Sequence, residues 1–230
     1  MKKETREYIA NLMWYFIIFS VLGLIVETLF GFLTMGILES RKGLVIGPFC
    51  PIYGCGAVLI IAALNRFKDS KLKIFFYGMI AGAAVEYVIS FILEEIYGTR
   101  FWDYSYLPYN LNGRICIRYS SYWGILSLLM IYLVKPKVDK LINKIPKKEI
   151  IAEAALIFFI IDALLTVIAI NSYQARARAI YNDCEIKKED TVIMKVFPDK
   201  FMEKTFPNIR LKTDDGKLIF IRDIIEKGKF

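Results

Sequence analysis

The chain has 230 residues, of which 56% are hydrophobic and 15% aromatic, a formal net charge of +8 and no histidine. That apolar fraction exceeds what a soluble domain of this length uses. Missing histidine removes Ser-His and Cys-His catalytic pairs and every His-ligated zinc site. The lack of a Gly-x4-Gly-Lys-Ser/Thr loop excludes a P-loop ATPase.

Apolar runs suited to crossing a bilayer, about 20 residues each, predict helices over 12–38, 47–64, 72–97, 115–134 and 150–171. The first carries Glu27 at its middle and reads as a retained span rather than a cleaved signal. The second is short and opens Gly47-Pro48-Phe49-Cys50-Pro51, so its start is expected to enter the membrane unwound. In the first and third runs, Gly23, Glu27 and Gly31, and Gly78, Gly82, Glu86, Ser90 and Glu94, recur every four residues. Small residues on one stripe let helix backbones approach closely in lipid, so both glutamates are expected to face a seam or internal cavity. Glu27 and Glu86 lie equally far before Leu38 and Tyr97, about 16 Å below the helix ends at 1.5 Å per residue. The fifth run adds a buried acid, Asp162. Beyond it, residues 210–213 and 217–221 around Asp214-Asp215-Gly216 predict a hairpin in a mixed, charged tail. With few apolar residues, this tail is expected to dock on the membrane domain or on a partner.

Basic residues flank the runs unevenly. Lys2, Lys3 and Arg6, then Arg66, Lys68, Lys71 and Lys73, then Lys135, Lys137, Lys140, Lys144, Lys147 and Lys148 fall on one side. The positive-inside rule makes the amino terminus cytoplasmic and, with five spans, the tail external; Arg176 and Arg178 count against the latter. These charges also suit contacts with anionic membrane lipids, and nothing in their placement marks a nucleic-acid groove.

The membrane half reads as written twice. At one constant offset Gly23, Val26, Glu27 and Arg41 fall on Gly82, Val85, Glu86 and Arg100. At a slightly larger one Gly47, Cys50 and Tyr53 fall on Gly113, Cys116 and Tyr119. The expected architecture is an all-α polytopic membrane protein. It has about five transmembrane helices in residues 1–171, a small mixed tail in 172–230, and two tandem helical hairpins (12–64 and 72–134) forming a parallel repeat plus one extra helix (150–171). An ionisable residue deep in a span is expensive, and two at matching positions point to a paired polar site. The alternative is packing alone, each glutamate protonated and bonded across a seam.

The outer connections carry further candidates. Arg41 lies in the first, and Arg100, Trp102, Asp103, Asn112 and Arg114 lie in the second, among Tyr104, Tyr106 and Tyr109. The aromatic residues also suit an interfacial belt. Arg100 and Arg114 either pair with Glu94, Glu95 or Asp103 or grip a phosphate or carboxylate with their planar forks. Cys50 and Cys116 occupy matching places where a disulfide is conceivable, against ordinary apolar packing.

The segments Gly47-Pro48-Phe49-Cys50-Pro51-Ile52-Tyr53-Gly54, Glu86-Tyr87, Trp102-Asp103-Tyr104-Ser105 and Asn110-Leu111-Asn112-Gly113-Arg114-Ile115-Cys116 together resemble a bacterial membrane family. It is the one labelled "putative ABC-transporter type IV", or CmpB-like. The resemblance covers about residues 15–137, and Phe197-Pro198-Asp199 with Phe206-Pro207-Asn208 looks like the tail that often follows. Ser40-Arg41-Lys42-Gly43 departs from a family pattern closer to Asn-Arg-Gly. The resemblance implies a membrane component of a small-molecule or ion transport system, with a separate ATPase subunit as partner. It carries no substrate and no reaction.

Few spans for a complete transporter lead to the expectation of a homodimer or that partner subunit. Glu27 and Glu86 would take a cation, a proton or a basic group of the substrate, and the arginines an anionic part. No metal site, cofactor or catalytic residue is expected. A membrane-embedded enzyme acting on a lipid headgroup, with the paired carboxylates exchanging protons, is one alternative. A membrane assembly or regulatory protein working through its tail is the other.

Overall fold

The computed structural model describes residues 3–186 and 188–228; Lys2, and positions 187, 229 and 230 of the tail, lie outside them. Helix α1 runs Lys3–Met35. It stops before residue 38 because Gly36 adopts φ +71°, and its N–H returns to the Phe32 carbonyl at 2.8 Å. A residue in this left-handed conformation ends a helix, and glycine adopts it without a Cβ penalty.

The following connection does not stay at the surface. The Cys50 N–H donates to the Ser20 carbonyl at 3.0 Å, and Ser20 lies about 22 Å below Met35 along α1. The chain therefore folds back beside its own helix as irregular backbone. Helix α2 then begins deep, at Pro51, and spans only Pro51–Leu64 before a 3₁₀ turn at Asn65–Phe67. Proline in the first turn costs nothing, since that N–H has no helical acceptor. The expectation of an unwound start to the second run is met at residues 47–50.

Helix α3 (Lys71–Tyr97) is capped by the Ser70 hydroxyl, which accepts from the Lys73 N–H at 3.4 Å, and closes on Gly98 at φ +60°. Short strands β1 (Thr99–Arg100), β2 (Asn110–Leu111) and β3 (Ile115–Cys116) follow, with β2 and β3 antiparallel. Helix α4 (Ile117–Leu129) passes through a π turn at Met130–Val134 into α5 (Lys135–Ile142). Pro136 explains the turn. Its ring clashes with the carbonyl four residues back, and the Lys135 N–H reaches the Met130 carbonyl instead, five residues back.

Helix α6 (Lys148–Tyr181) overruns the expected 150–171 by about three turns. Those turns are buried against the tail, which comprises α7 (Lys188–Val196), α8 (Asp199–Thr205), β4 (Arg210–Lys212), β5 (Leu218–Phe220) and α9 (Ile221–Lys227). The expected hairpin is β4–β5, and β1 joins its other edge in the order β1-β4-β5, antiparallel throughout. The tail is richer in buried apolar residues than its composition implied. Met202, Phe206, Ile209, Leu211, Ile221, Ile224 and Ile225 close on Ala169, Ile170, Tyr173 and Ala177 of α6.

Three helices, Lys3–Met35, Lys71–Glu95 and Lys148–Tyr181, are long and apolar enough to cross a membrane, and Pro51–Phe67 is a shorter apolar helix. They leave large side chains outward, Leu33 at 80% exposure and Ile80 at 63%. Apolar surface of that extent belongs against lipid or a partner rather than water. At one end Arg6 pairs with Glu153 at 2.7 Å and Lys148 with Glu7 at 2.9 Å, tying the starts of α1 and α6 together. The tail sits at the other end, on the same face as the connections 36–50 and 98–116. All four cysteines are free.

Candidate functional site

Irregular backbone inside a helical layer must find acceptors. Here α6 supplies them. The Val45 N–H donates to Thr166 Oγ1 at 2.9 Å and the Ile46 N–H to Asp162 Oδ1 at 3.0 Å. Thr166 and Asp162 are buried and one helical turn apart. Phe49 packs on Phe159 with ring centroids 4.7 Å apart. Segment 43–50 is thereby tied to α6, and a cavity of about 640 Å³ lies between it, α1, α3 and α4.

Its floor is built from the small-residue stripes. A Cβ at Gly23 would lie 2.2 Å from Tyr53 Cβ, so only glycine lets the Tyr53 ring lie against α1. Seated there, the phenol reaches up one turn and donates a hydrogen bond to Glu27. In α3 a Cβ at Gly82 would lie 2.2 Å from Trp123 Cγ. The Trp123 indole, packed on that bare backbone, donates to Glu86 Oε2 at 3.3 Å, and Tyr104 donates to Glu86 Oε1 at 2.9 Å. Tyr53 and Trp123 stand 5.3 Å apart, and Tyr104 stacks on Tyr119 at 4.6 Å. Burial, then the Glu86 carboxyl, push the Tyr104 phenol well above its ordinary value, so it remains a donor.

Both glutamates line this one cavity. Among the described residues neither forms an ion pair; their hydrogen-bond partners are neutral phenols and an indole. Arg41 and Trp102 also line it. The Arg41 guanidinium stands beside Gly31, one turn above Glu27, since a Cβ there would lie 2.9 Å from Nη2. With the Asn208 amide in the orientation that satisfies both neighbours, Asn208 accepts from Arg41 Nη1 at 2.6 Å and donates to Glu39 at 3.1 Å. Trp102 donates to the Arg114 carbonyl at 2.9 Å, which fixes its ring at the cavity wall.

The other four candidates fall outside the cavity, in a joint between α3, the second connection and the tail. Arg100 pairs with Glu94, and with Asp103 at 3.3 Å. Arg114 approaches Glu94 at 3.1 Å and Glu95 at 3.4 Å, and Lys212 of β4 reaches Glu94 at 2.8 Å. Asp103 also meets Arg210 at 3.4 Å. Asn112 and Gly113 turn the β2–β3 hairpin with φ +54° and +67°, the left-handed pair an Asn-Gly turn prefers, and the Asn112 amide donates to Tyr87 at 2.9 Å. Of the two roles open to Arg100 and Arg114, ion pairing is the one their geometry fills.

Sequence reasoning passed over Trp123, Lys42, Thr166 and Asn208 as cavity-lining residues. Trp123 had a local signal: it sits on the helix that pairs with α3, whose glycine stripe needs a large neighbour. Asn208 had none, because it comes to Arg41 through the tail's own folding.

These features define the class as a helical membrane protein with an acid-floored cavity beneath a docked tail. The profile of the family described as "Putative ABC-transporter type IV" matches residues 14–167, and the chain belongs to that family. No curated protein and no solved structure matches it.

Proposed function

We propose that this protein is the membrane subunit of a transport system for a small molecule or ion, working with a separate ATPase subunit, and that Glu27 and Glu86 form its binding site. In this reading the chain crosses the cell membrane five times with its amino terminus in the cytoplasm. α1–α2 and α3–α4 are then the two copies of a tandem hairpin, and α6 is the extra span. Support for the repeat comes from matching detail. Each second helix starts directly after a cysteine, at Pro51 or Ile117. Each first helix seats an aromatic ring on a bare glycine and offers the following glutamate to it. The copies differ in which ring does this, since Tyr119 has turned to stack on Tyr104 and Trp123 takes the place.

The observation that carries the reading is the sharing of one cavity by two acids that no base neutralises. Such a group inside a span is costly and is kept where a cation or proton can meet it. Family membership supplies the transport context. The test is native mass spectrometry of protein purified in detergent, wild type beside Glu86→Gln. A discrete adduct on the wild type, absent from the folded variant, is the expected result; adducts identical in both would overturn the site.

A further inference from the structure

We infer that the cavity takes an organic ammonium with an apolar body, nitrogen toward Glu27 and Glu86; the inference rests on the binding-site reading above and names its ligand class. Charge is the first argument. Tyr53, Tyr104 and Trp123 satisfy carboxyl lone pairs without bringing positive charge. Arg41 and Lys42 also line the cavity but form no ion pair with either glutamate, so the floor at Glu27 and Glu86 is the end that suits a cation.

Ring placement is the second. Tyr53 and Trp123 lie 5.3 Å apart, tilted by 30°, and Tyr104 lies 4.6 Å from Tyr119 at 16°. Each pair includes the ring of a donor to Glu27 or Glu86. Packed on one another and on Gly23 and Gly82, the rings form a rigid aromatic wall beside the carboxyls, suited to the apolar body of a ligand whose ammonium meets the acids.

The third argument is what the remaining wall offers. Val26, Ile52, Ile89, Leu93 and Leu126 line the cavity beside the rings. Its volume of about 640 Å³ lies within the ~300–1,000 Å³ of small-molecule sites. An inorganic divalent cation wants several hard oxygen ligands, and among the described residues no group of three or more acidic, histidine or cysteine side chains converges. An alkyl or aryl amine uses the apolar wall as well as the floor. The Arg41 guanidinium one turn above Glu27 donates through Nη1 to Asn208, while its buried Nε has no hydrogen-bond partner. It flanks the path and disfavours a second cation there.

The chemistry is shared by free amines and by lipids with an amine headgroup, and the test separates them. Trp123 and Trp102 line the cavity, whereas the Trp14 indole donates to the Lys148 carbonyl at the other end and contributes a constant background. Intrinsic fluorescence of the full chain in detergent is titrated with phenethylamine, phenethyl alcohol and hydrocinnamate, which share an aryl body and differ in charge. Lysophosphatidylethanolamine is compared with lysophosphatidylglycerol. Saturable binding of phenethylamine at least about tenfold tighter than of the alcohol is expected, a difference of ~1.4 kcal/mol. In Glu27→Gln and Glu86→Gln, whose amides still accept from the same donors, amine and alcohol become equal while the unfolding midpoint stays in place. Preference for lysophosphatidylethanolamine over both free amine and lysophosphatidylglycerol assigns the ammonium to a lipid, and preference for phenethylamine assigns it to a free amine. Tighter binding of hydrocinnamate overturns the amine class. So does failure of every amine to saturate, and a Glu86-dependent mass adduct of other chemistry would then leave the binding site itself standing. Loss of both the probes and the adduct would bring down the two together.

Discussion

Helix α3 carries two buried glutamates about 12 Å apart along its axis, each only 5% exposed, and the molecule treats them in opposite ways. Glu94 meets Arg100, Arg114 and Lys212, drawn from the second connection and from the tail. Glu86 meets Tyr104 and Trp123. Three bases on one acid make a joint: the charge is spent inside the protein, and the tail is fixed to α3 by it. Neutral donors on an acid orient the carboxyl and leave its charge available. In the reading proposed above, the same residue type on the same helix ties the tail down where bases surround it and meets the ligand where only phenols and an indole do.

The comparison breaks most visibly if Glu94 can be neutralised without harm. Breaking a buried pair costs about 3–5 kcal/mol because the remaining charges lose their partner. Glu94→Gln leaves buried Arg100 with Asp103 alone and buried Arg114 with only the half-exposed Glu95, so its denaturant unfolding midpoint should fall while that of Glu86→Gln stays in place. Limited proteolysis should also release the tail. Gly82→Ala comes next. The added Cβ meets the Trp123 ring at 2.2 Å, overpacking that costs about 1–3 kcal/mol. Trp123 should also leave Glu86, seen as a shifted indole emission that Glu94→Gln does not produce. Thr166→Val is smaller, about 1–2 kcal/mol for the unpartnered Val45 N–H. Its expected signature is faster hydrogen exchange confined to segment 43–50, with the joint at Glu94 unaffected.

Much of the frame was legible in the sequence because it is local. Apolar runs placed α1, α3 and α6, Gly47-Pro48 marked irregular backbone, Pro51 marked the first turn of α2, and Asp214-Asp215-Gly216 marked the β4–β5 turn. The stripe of Gly23 and Glu27, and of Gly82 and Glu86, showed which faces of α1 and α3 turn inward. What the sequence hid depends on contacts between distant segments. Nothing local tells Arg100 and Arg114 to turn to Glu94 while Arg41 turns to the cavity; that depends on β1 pairing with β4, whose residues lie far along the chain. The depth of the first connection was equally hidden, since it is set by Asp162 and Thr166, acceptors on α6. Helix α6 ran long for the same reason, its last turns forming one wall of a tail core that composition alone understated.

The most direct test is the unfolding midpoint of the ligand-free double variant Glu27→Gln, Glu86→Gln against wild type. Acids kept for binding are a burden to the empty protein, so the account predicts a midpoint equal to or above wild type. A fall as large as that of Glu94→Gln would show that these carboxyls hold the fold together, and would contradict it.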